Sequence, residues 1–374
     1  MALVAGEASG DLLGGLLLGG LRARWPTLQA FGIGGPCMAA QGMHAWWPHD
    51  RLSVTGYVEV LKRYRELVGI RNRLAQRLIH EPPQAFIGID VPDFNLGLEA
   101  RLKAAGIKAI HFVSPSIWAW RGGRIDAIAR ATDLMLCLFP FEPEIYARHG
   151  VRACYVGHPL ADVIPMQVPR GPARAALGLS SSDRVVALMP GSRLGEVRFI
   201  GPRLLQAAAR LHRTRPGLRF VLPLAGGMHA AVAPLLSSCC PQVDVQLLDG
   251  QSHTALAACD VVLVASGTAT LEAALFKRPM VITYVMHWLN WQMMRRMNYL
   301  PWVGLPNILL RETVVPELLQ DEATPQRLAD AACAWLDDPG ACEALQRRFE
   351  GLHELLRCDT ASKATDAIEH LLAG

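Results

Sequence analysis

The sequence predicts an α/β protein built from two parallel-sheet domains. Three observations carry that reading. The chain has 374 residues, and at roughly 100–200 residues per domain it needs more than one. Short apolar runs alternate with helix-period segments over most of its length. Pro165, Pro169, Gly171 and Pro172 then break the alternation near the middle, as an interdomain linker would.

In the first half, strands are expected at Ala2–Ala5, Gln29–Ile33, Ala85–Ile89, Lys108–Val113, Asp133–Leu138 and Arg152–Val156. Helical patterns lie between them, at Asp11–Arg24, Tyr57–Ile79, Asn95–Ala105 and Glu142–His149. Strand, helix, strand in repetition calls for a parallel sheet with helices on both faces. After the break the alternation restarts, with strands at Arg184–Met189, Leu218–Leu222, Asp244–Leu248, Asp260–Ala265 and Met280–Tyr284. From about Gln326 onward the pattern is helical throughout.

Composition removes several classes. With 51% hydrophobic residues and a net charge of +4, the chain is too apolar for disorder and too weakly basic for a nucleic-acid binder. The nine cysteines form no C-x-x-C pair, and adjacent Cys239 and Cys240 suit reduced thiols. Met1 leads directly into an apolar strand, so no signal peptide is expected. The charge-free stretch Phe220–Val243 is broken by Pro223, Pro234 and Pro241 and does not read as a membrane span.

Four turns carry candidate chemistry. Gly6-Glu7-Ala8-Ser9-Gly10-Asp11 follows the first strand and opens a helix, where glycines allow close approach and free N–H groups can meet a ligand. It is neither a P-loop nor a G-x-G-x-x-G. Asp90-Val91-Pro92-Asp93 lies past the carboxyl end of an apolar strand, where open α/β sheets collect ligands. Asp90 is the candidate general base, and Asp93 reads as a cap for a helix beginning near Asn95. Gly191-Ser192-Arg193 suits a diphosphate, with N–H groups and a guanidinium converging on the charge. Ser266-Gly267-Thr268-Ala269-Thr270-Leu271-Glu272 repeats the arrangement, and Glu272 could bond two ribose hydroxyls. Metal ligation is not expected, since neither H-E-x-x-H nor D-x-D occurs.

Two amphipathic stretches point to an anionic membrane surface. Tyr57–Ile79 holds Lys62, Arg63, Arg65, Arg71, Arg73 and Arg77 against Glu59 and Glu66. His287–Tyr299 sets Trp288, Trp291 and three methionines beside Arg295 and Arg296, with Trp302 just beyond. Basic residues with Trp and Met on a short helix suit an interfacial position. The competing reading is a core-facing helix with a solvated basic back.

Together with Ser114-Pro115-Ser116-Ile117-Trp118-Ala119-Trp120-Arg121, these segments resemble the lipid-A-disaccharide synthases, glycosyltransferases of lipopolysaccharide assembly in Gram-negative bacteria. The resemblance runs over nearly the whole chain. It implies a GT-B fold, two Rossmann-like domains facing a cleft: 1–168 for the acceptor and membrane face, 169–350 for the UDP-sugar, and a 351–374 helix returning to the first. Implied too is inverting transfer of 2,3-diacylglucosamine from UDP onto 2,3-diacylglucosamine 1-phosphate (lipid X), giving a β-1,6-linked disaccharide and UDP. No cofactor is implied.

By that likeness Asp90 matches the catalytic aspartate and Arg193 the essential arginine. Glu7 and Ser9 would line the first domain's wall. Glu272 and Asn307 would lie near UDP, along with Gly191, Ser192, Gly267, Thr268 and Thr270. The resemblance places the enzyme on the cytoplasmic face of the inner membrane, bound peripherally, and allows a homodimer. Three alternatives stay open: a UDP-sugar 2-epimerase, the peptidoglycan N-acetylglucosaminyltransferase, and a non-catalytic UDP-sugar-binding module.

Overall fold

The computed structural model describes residues 1–52, 57–119, 122–297 and 299–374, with side chains at all of these except 8, 50, 57–62, 289, 293 and 295–297. The Lys62, Arg295 and Arg296 side chains, and Trp120 and Arg121, therefore lie outside the described residues. The chain forms two compact units, Met1–Asp162 with Leu356–Gly374, and Val163–Leu355.

The first unit holds seven strands: β1 (Ala2–Ala5), β2 (Phe31–Gly34), β3 (His44–Pro48), β4 (Ala85–Ile89), β5 (Lys108–Phe112), β6 (Leu134–Cys137) and β7 (Ala153–Tyr155). They lie in the order β3-β2-β1-β4-β5-β6-β7, every pair parallel. β4 is buried along its whole length, as its unbroken apolar run requires when helices cover both faces. Helix Ala8–Arg24 packs on the C-terminal helix Thr360–Ala373. A Cβ at Gly20 would lie 2.7 Å from Ala361, so the glycine sets how closely the two helices approach. Arg24 reaches Asp366 and Glu369 across that seam. These pairs are exposed and contribute little beyond register.

The second unit holds β8 (Arg184–Met189), β9 (Leu218–Leu224), β10 (Val245–Asp249), β11 (Val261–Ala265), β12 (Met280–Tyr284) and β13 (Glu317–Leu319). Their order is β10-β9-β8-β11-β12-β13, again parallel throughout. Its core is the aliphatic layer between this sheet and helices Leu194–Thr214 and Pro325–Asp337, including Val197, Leu204, Leu263 and Leu328. Asp260, at the foot of β11, accepts from Arg174 Nη2 at 2.9 Å and from the Val185 N–H at 2.7 Å. That ties the helix Arg170–Ala176 to the sheet.

Each unit thus has the doubly wound order in which the sequence turns back at its first strand. The crevice between β1 and β4, and that between β8 and β11, are the topological switch points where such sheets receive ligands. All four turns singled out in the sequence follow these four strands.

Two local readings need correction. The helix after β4 spans Pro92–Ala104, with Val91 as its N-cap and Pro92 in its first turn. Asp93 is therefore inside the helix rather than capping it, and its carboxylate pairs with Arg124. Proline tolerates the first helical turn because the N–H it lacks would be unpaired there anyway.

Beneath β4 lies a buried polar pair. His111 Nδ1 on β5 is 2.7 Å from Glu99 Oε1, and both side chains are fully buried. Burial raises the Glu99 carboxyl, and His111 opposes that rise. The pair fits because position 88 is glycine. A Cβ there would be driven into Glu99 Oε1 and lie 3.0 Å from Asn95 Cβ. Gly88→Ala is expected to destabilise the protein by roughly 1–3 kcal/mol, the usual cost of overpacking. Urea unfolding checks this, and an unchanged midpoint would mean the layer yields freely.

Candidate functional site

In the first unit, the β1 and β4 turns lie against each other. A Cβ at Gly6 would sit 2.6 Å from Val91 Cγ2, so glycine is what permits the contact. Glu7 is half-buried at the N-cap of helix Ala8–Arg24, and Ser9 is exposed in that helix's first turn. Asp11 has a structural task. Its buried carboxylate accepts the N–H groups of Gly35 (2.8 Å), Cys37 (2.8 Å) and Met38 (3.1 Å), capping the short helix Pro36–Ala40.

Asp90 continues the ladder with its N–H, donating to Phe112 O at 2.9 Å. Its φ is 53° and that of Val91 is 43°, two left-handed residues in succession. Such conformations cost non-glycine residues about 1–3 kcal/mol each and collect at functional sites. Asn95 holds the turn in place, its Nδ2 donating to Asp90 O at 2.8 Å. The half-buried Asp90 side chain thereby stands at the carboxyl edge of the sheet on a fixed backbone.

The second unit offers two unlike helix starts. At Gly191–Arg193, Glu196 folds back so that Oε2 accepts from Ser192 N (3.0 Å) and Arg193 N (3.2 Å). Gly191 takes φ 111° to make room. The Glu196 carboxylate thus sits at the helix start, where a phosphate was expected. The Arg193 side chain is half exposed, with Nη1 3.7 Å from Glu196 Oε1. Arginine has no acceptor and cannot serve as the N-cap half of a capping box, so Glu196, at the third helical position, does the capping alone.

At Gly267 the opposite holds. No side chain caps helix Thr268–Leu275, Gly267 and Thr268 are exposed, and a Cβ at Gly267 would meet open space. Thr270 is buried, with Oγ1 donating to Gly267 O at 2.7 Å, so it shapes the turn instead of reaching a ligand. Glu272 is only 19% exposed at its side chain and lies 3.5 Å from His253 Nε2. His253 had no sequence signal of its own.

Asn307 is fully buried, and its amide is spent internally. Nδ2 donates to Val315 O (2.9 Å) and Glu317 Oε1 (2.8 Å), while Oδ1 accepts from Val314 N (2.9 Å) and Val315 N (3.1 Å). Any effect of Asn307 on a ligand must pass through the segment it braces. Glu317 completes the brace by capping helix Leu305–Leu310 through Val303 N and Gly304 N.

Among the surface candidates, Trp288 is 64% exposed, and Trp291 and Trp302 are half-buried. Arg63 is paired with Glu66 at 3.1 Å. Arg71 lies over Gly97. Among the described residues no helix is long and apolar enough to cross a membrane, and no metal-holding group of His, Cys, Asp and Glu is found.

The segment following β5 is built on a buried acid. Glu142 Oε1 accepts from Trp118 Nε1 at 2.9 Å, and Oε2 accepts from Phe139 N at 3.0 Å. Burial pushes its carboxyl up to about 7, partly offset by these donors. A folded value above the unfolded one means the native state binds the extra proton, so this group's contribution to stability falls as pH rises from about 4.5 to about 7. Glu142→Gln should therefore gain on the wild type across that window, by roughly 3 kcal/mol for a shift of this size. Its offset at pH 5 would report the lost acceptor. Denaturation at pH 5 and pH 8 checks the sign, and a gap between the two proteins that does not change with pH would contradict it.

The sequence profile of the lipid-A-disaccharide synthetase family matches residues 1–368. The chain belongs to that family. A lipid-A-disaccharide synthase from Albidiferax ferrireducens is 57% identical over all of this chain and 97% of its own length. Another from Verminephrobacter eiseniae is 55% identical over 100% and 97%. Like other lipid-A-disaccharide synthases, the chain is a glycosyltransferase of lipid A biosynthesis. The fold agrees with solved structures of low identity. A Neisseria meningitidis UDP-GlcNAc 2-epimerase bound to UDP-GlcNAc gives a TM-score of 0.66 at 11% identity, covering 100% of this chain and 99% of that one. WaaG, a glycosyltransferase of lipopolysaccharide biosynthesis, gives 0.57 at 14% identity, covering 98% and 99%. The lipid-A-disaccharide synthase architecture is thus two Rossmann-like parallel-sheet domains of the GT-B kind.

Proposed function

We propose that the enzyme transfers 2,3-diacylglucosamine from its UDP carrier to the 6-hydroxyl of 2,3-diacylglucosamine 1-phosphate, releasing UDP. Family membership over residues 1–368 carries this reading. Asp90 takes the proton from the acceptor hydroxyl as it attacks the anomeric carbon, and configuration inverts. UDP leaves as its growing charge meets Arg193 and the uncapped start of helix Thr268–Leu275. Glu272 holds the ribose hydroxyls. Glu7 and Ser9 line the acceptor side, and the turn at Gly191 and Ser192 sets where Arg193 stands. The test is UDP release with both lipids present and with each omitted. Release should require both, and release from the donor alone at the same rate would make the protein a hydrolase.

The acyl chains of both substrates call for a peripheral membrane surface, which the reading assigns to helices Tyr57–His80 and Trp288–Met297. Exposed Tyr64 and Trp288 support it. Sedimentation with anionic vesicles is expected to fall as salt rises from 0.05 to about 0.5 M, because attraction at the surface is screened within a Debye length. Binding indifferent to salt and to lipid charge would remove the electrostatic part.

A further inference from the structure

The segment Ser114–Ala119 leaves β5 one strand over from Asp90, and none of its side chains has a part in the chemistry above. Ile89 pairs with Phe112, so Asp90 and Val113 are the next residues along adjacent strands. Val113 has φ 80°, a left-handed conformation that a β-branched residue adopts only when its surroundings enforce it. Ser114 is buried, with Oγ 2.8 Å from Tyr146 OH. Trp118 is half-buried. Its ring centroid is 5.3 Å from that of Phe141 and 6.2 Å from that of Phe139, perpendicular to both within about 11°.

The arrangement spends stability to hold an indole that is not itself fully buried. Glu142 is only 1% exposed, and a carboxylate kept there is costly unless its hydrogen bonds are well used. Both oxygens are used, one on Trp118 Nε1 and one on the turn carrying Phe139 and Phe141. Any buried indole N–H finds an acceptor, and a neutral carbonyl would serve for packing alone; here the acceptor is a carboxyl at 1% exposure, which also fixes the ring's orientation. A rigid aromatic face with a defined orientation suits a flat, C–H-rich ligand surface, as on a pyranose ring.

We propose that Trp118, fixed by Glu142 and backed by Phe141, is the surface on which the acceptor's glucosamine ring packs beside Asp90. This rests on the transfer reaction proposed above and names the part of the first unit that orients the acceptor. Glu142 acts through Trp118 and is a positioning residue.

The experiment is steady-state kinetics of disaccharide formation with Trp118→Ala, Trp118→Phe and Glu142→Gln, varying lipid X, with calorimetric UDP binding and melting temperature measured on each. Trp118→Ala should raise the acceptor KM by about 10-fold or more and Trp118→Phe by only about 2–3-fold, with UDP affinity within twofold of wild type. The wild-type acceptor KM should rise as pH falls below about 7, because protonating Glu142 takes an acceptor from one of its two donors, and Glu142→Gln should flatten that dependence. If Trp118→Ala does not fold, Trp118→Leu carries the same expectation. An unchanged acceptor KM in a folded variant would overturn the proposal, as would equal losses toward UDP and acceptor. A penalty that vanishes when the acceptor's acyl chains are shortened would assign the surface to those chains and overturn the sugar assignment. A wild-type protein that makes no disaccharide would sink the transfer reaction itself, and this inference with it.

Discussion

Asp90→Asn is expected to lower kcat by about 10²–10⁴-fold while UDP affinity stays near wild type. The substitution keeps the size of the side chain and leaves the backbone bonds of residue 90, to Phe112 O and from Asn95, in place. What it removes is the proton acceptor. Asp93→Asn is the matched control. Asp93 is 78% exposed at its side chain and paired with Arg124, so losing it should shift stability by less than about 1 kcal/mol and leave kcat nearly unchanged. If Asp93→Asn abolishes turnover and Asp90→Asn does not, the roles are reversed. If neither does, the half-buried Glu7 on the facing turn becomes the next candidate base.

Arg193→Ala is expected to cost about 2–4 kcal/mol of transition-state stabilisation, a loss of roughly 30- to 1,000-fold in kcat/KM. The structure gives a reason for the guanidinium to matter more than the turn that bears it. Glu196 already accepts the N–H groups of Ser192 and Arg193, so that helix start has little left to offer a diphosphate. On the proposed mechanism the positive charge comes from the arginine and from the uncapped start at Gly267–Thr268. Activity should persist in excess EDTA. Complete loss, restored by Mg²⁺ or Mn²⁺, would show that the charge accounting is wrong, and a wild-type rate in Arg193→Ala would remove that residue from the site.

Strands with unbroken apolar runs were legible to the residue. Ala2–Ala5, Ala85–Ile89, Arg184–Met189 and Met280–Tyr284 begin and end where their hydrophobic patterns do. The strands that escaped notice are edges. His44–Pro48 is largely exposed and ends in proline, and Glu317–Leu319 is three residues long, so neither shows the burial signal that reading strands depends on. The helix after β4 began three residues earlier than its periodicity suggested, because two left-handed residues turn the chain ahead of Pro92. No local pattern announces that geometry.

The site was legible in part. The turns could be picked out because glycine and small residues after a strand have few other uses. Their placement at both switch points could not, because strand order is a long-range property. Partnerships were least visible: the buried Glu142 under Trp118 and the full internal use of the Asn307 amide depend on residues brought together by folding. Asn307 shows the consequence. Family likeness placed it near UDP, and its four internal hydrogen bonds make any such part an indirect one.

On the proposed mechanism one displacement joins the two acylated sugars with Asp90 as base. The most direct measurement is mass spectrometry and NMR of the lipid product formed from UDP-2,3-diacylglucosamine and lipid X, with Asp90→Asn run in parallel. The expected product is a tetra-acylated disaccharide 1-phosphate with a β-1,6 linkage, formed by the wild type and nearly absent with the variant. A product with retained α configuration, or equal product from both proteins, would contradict it.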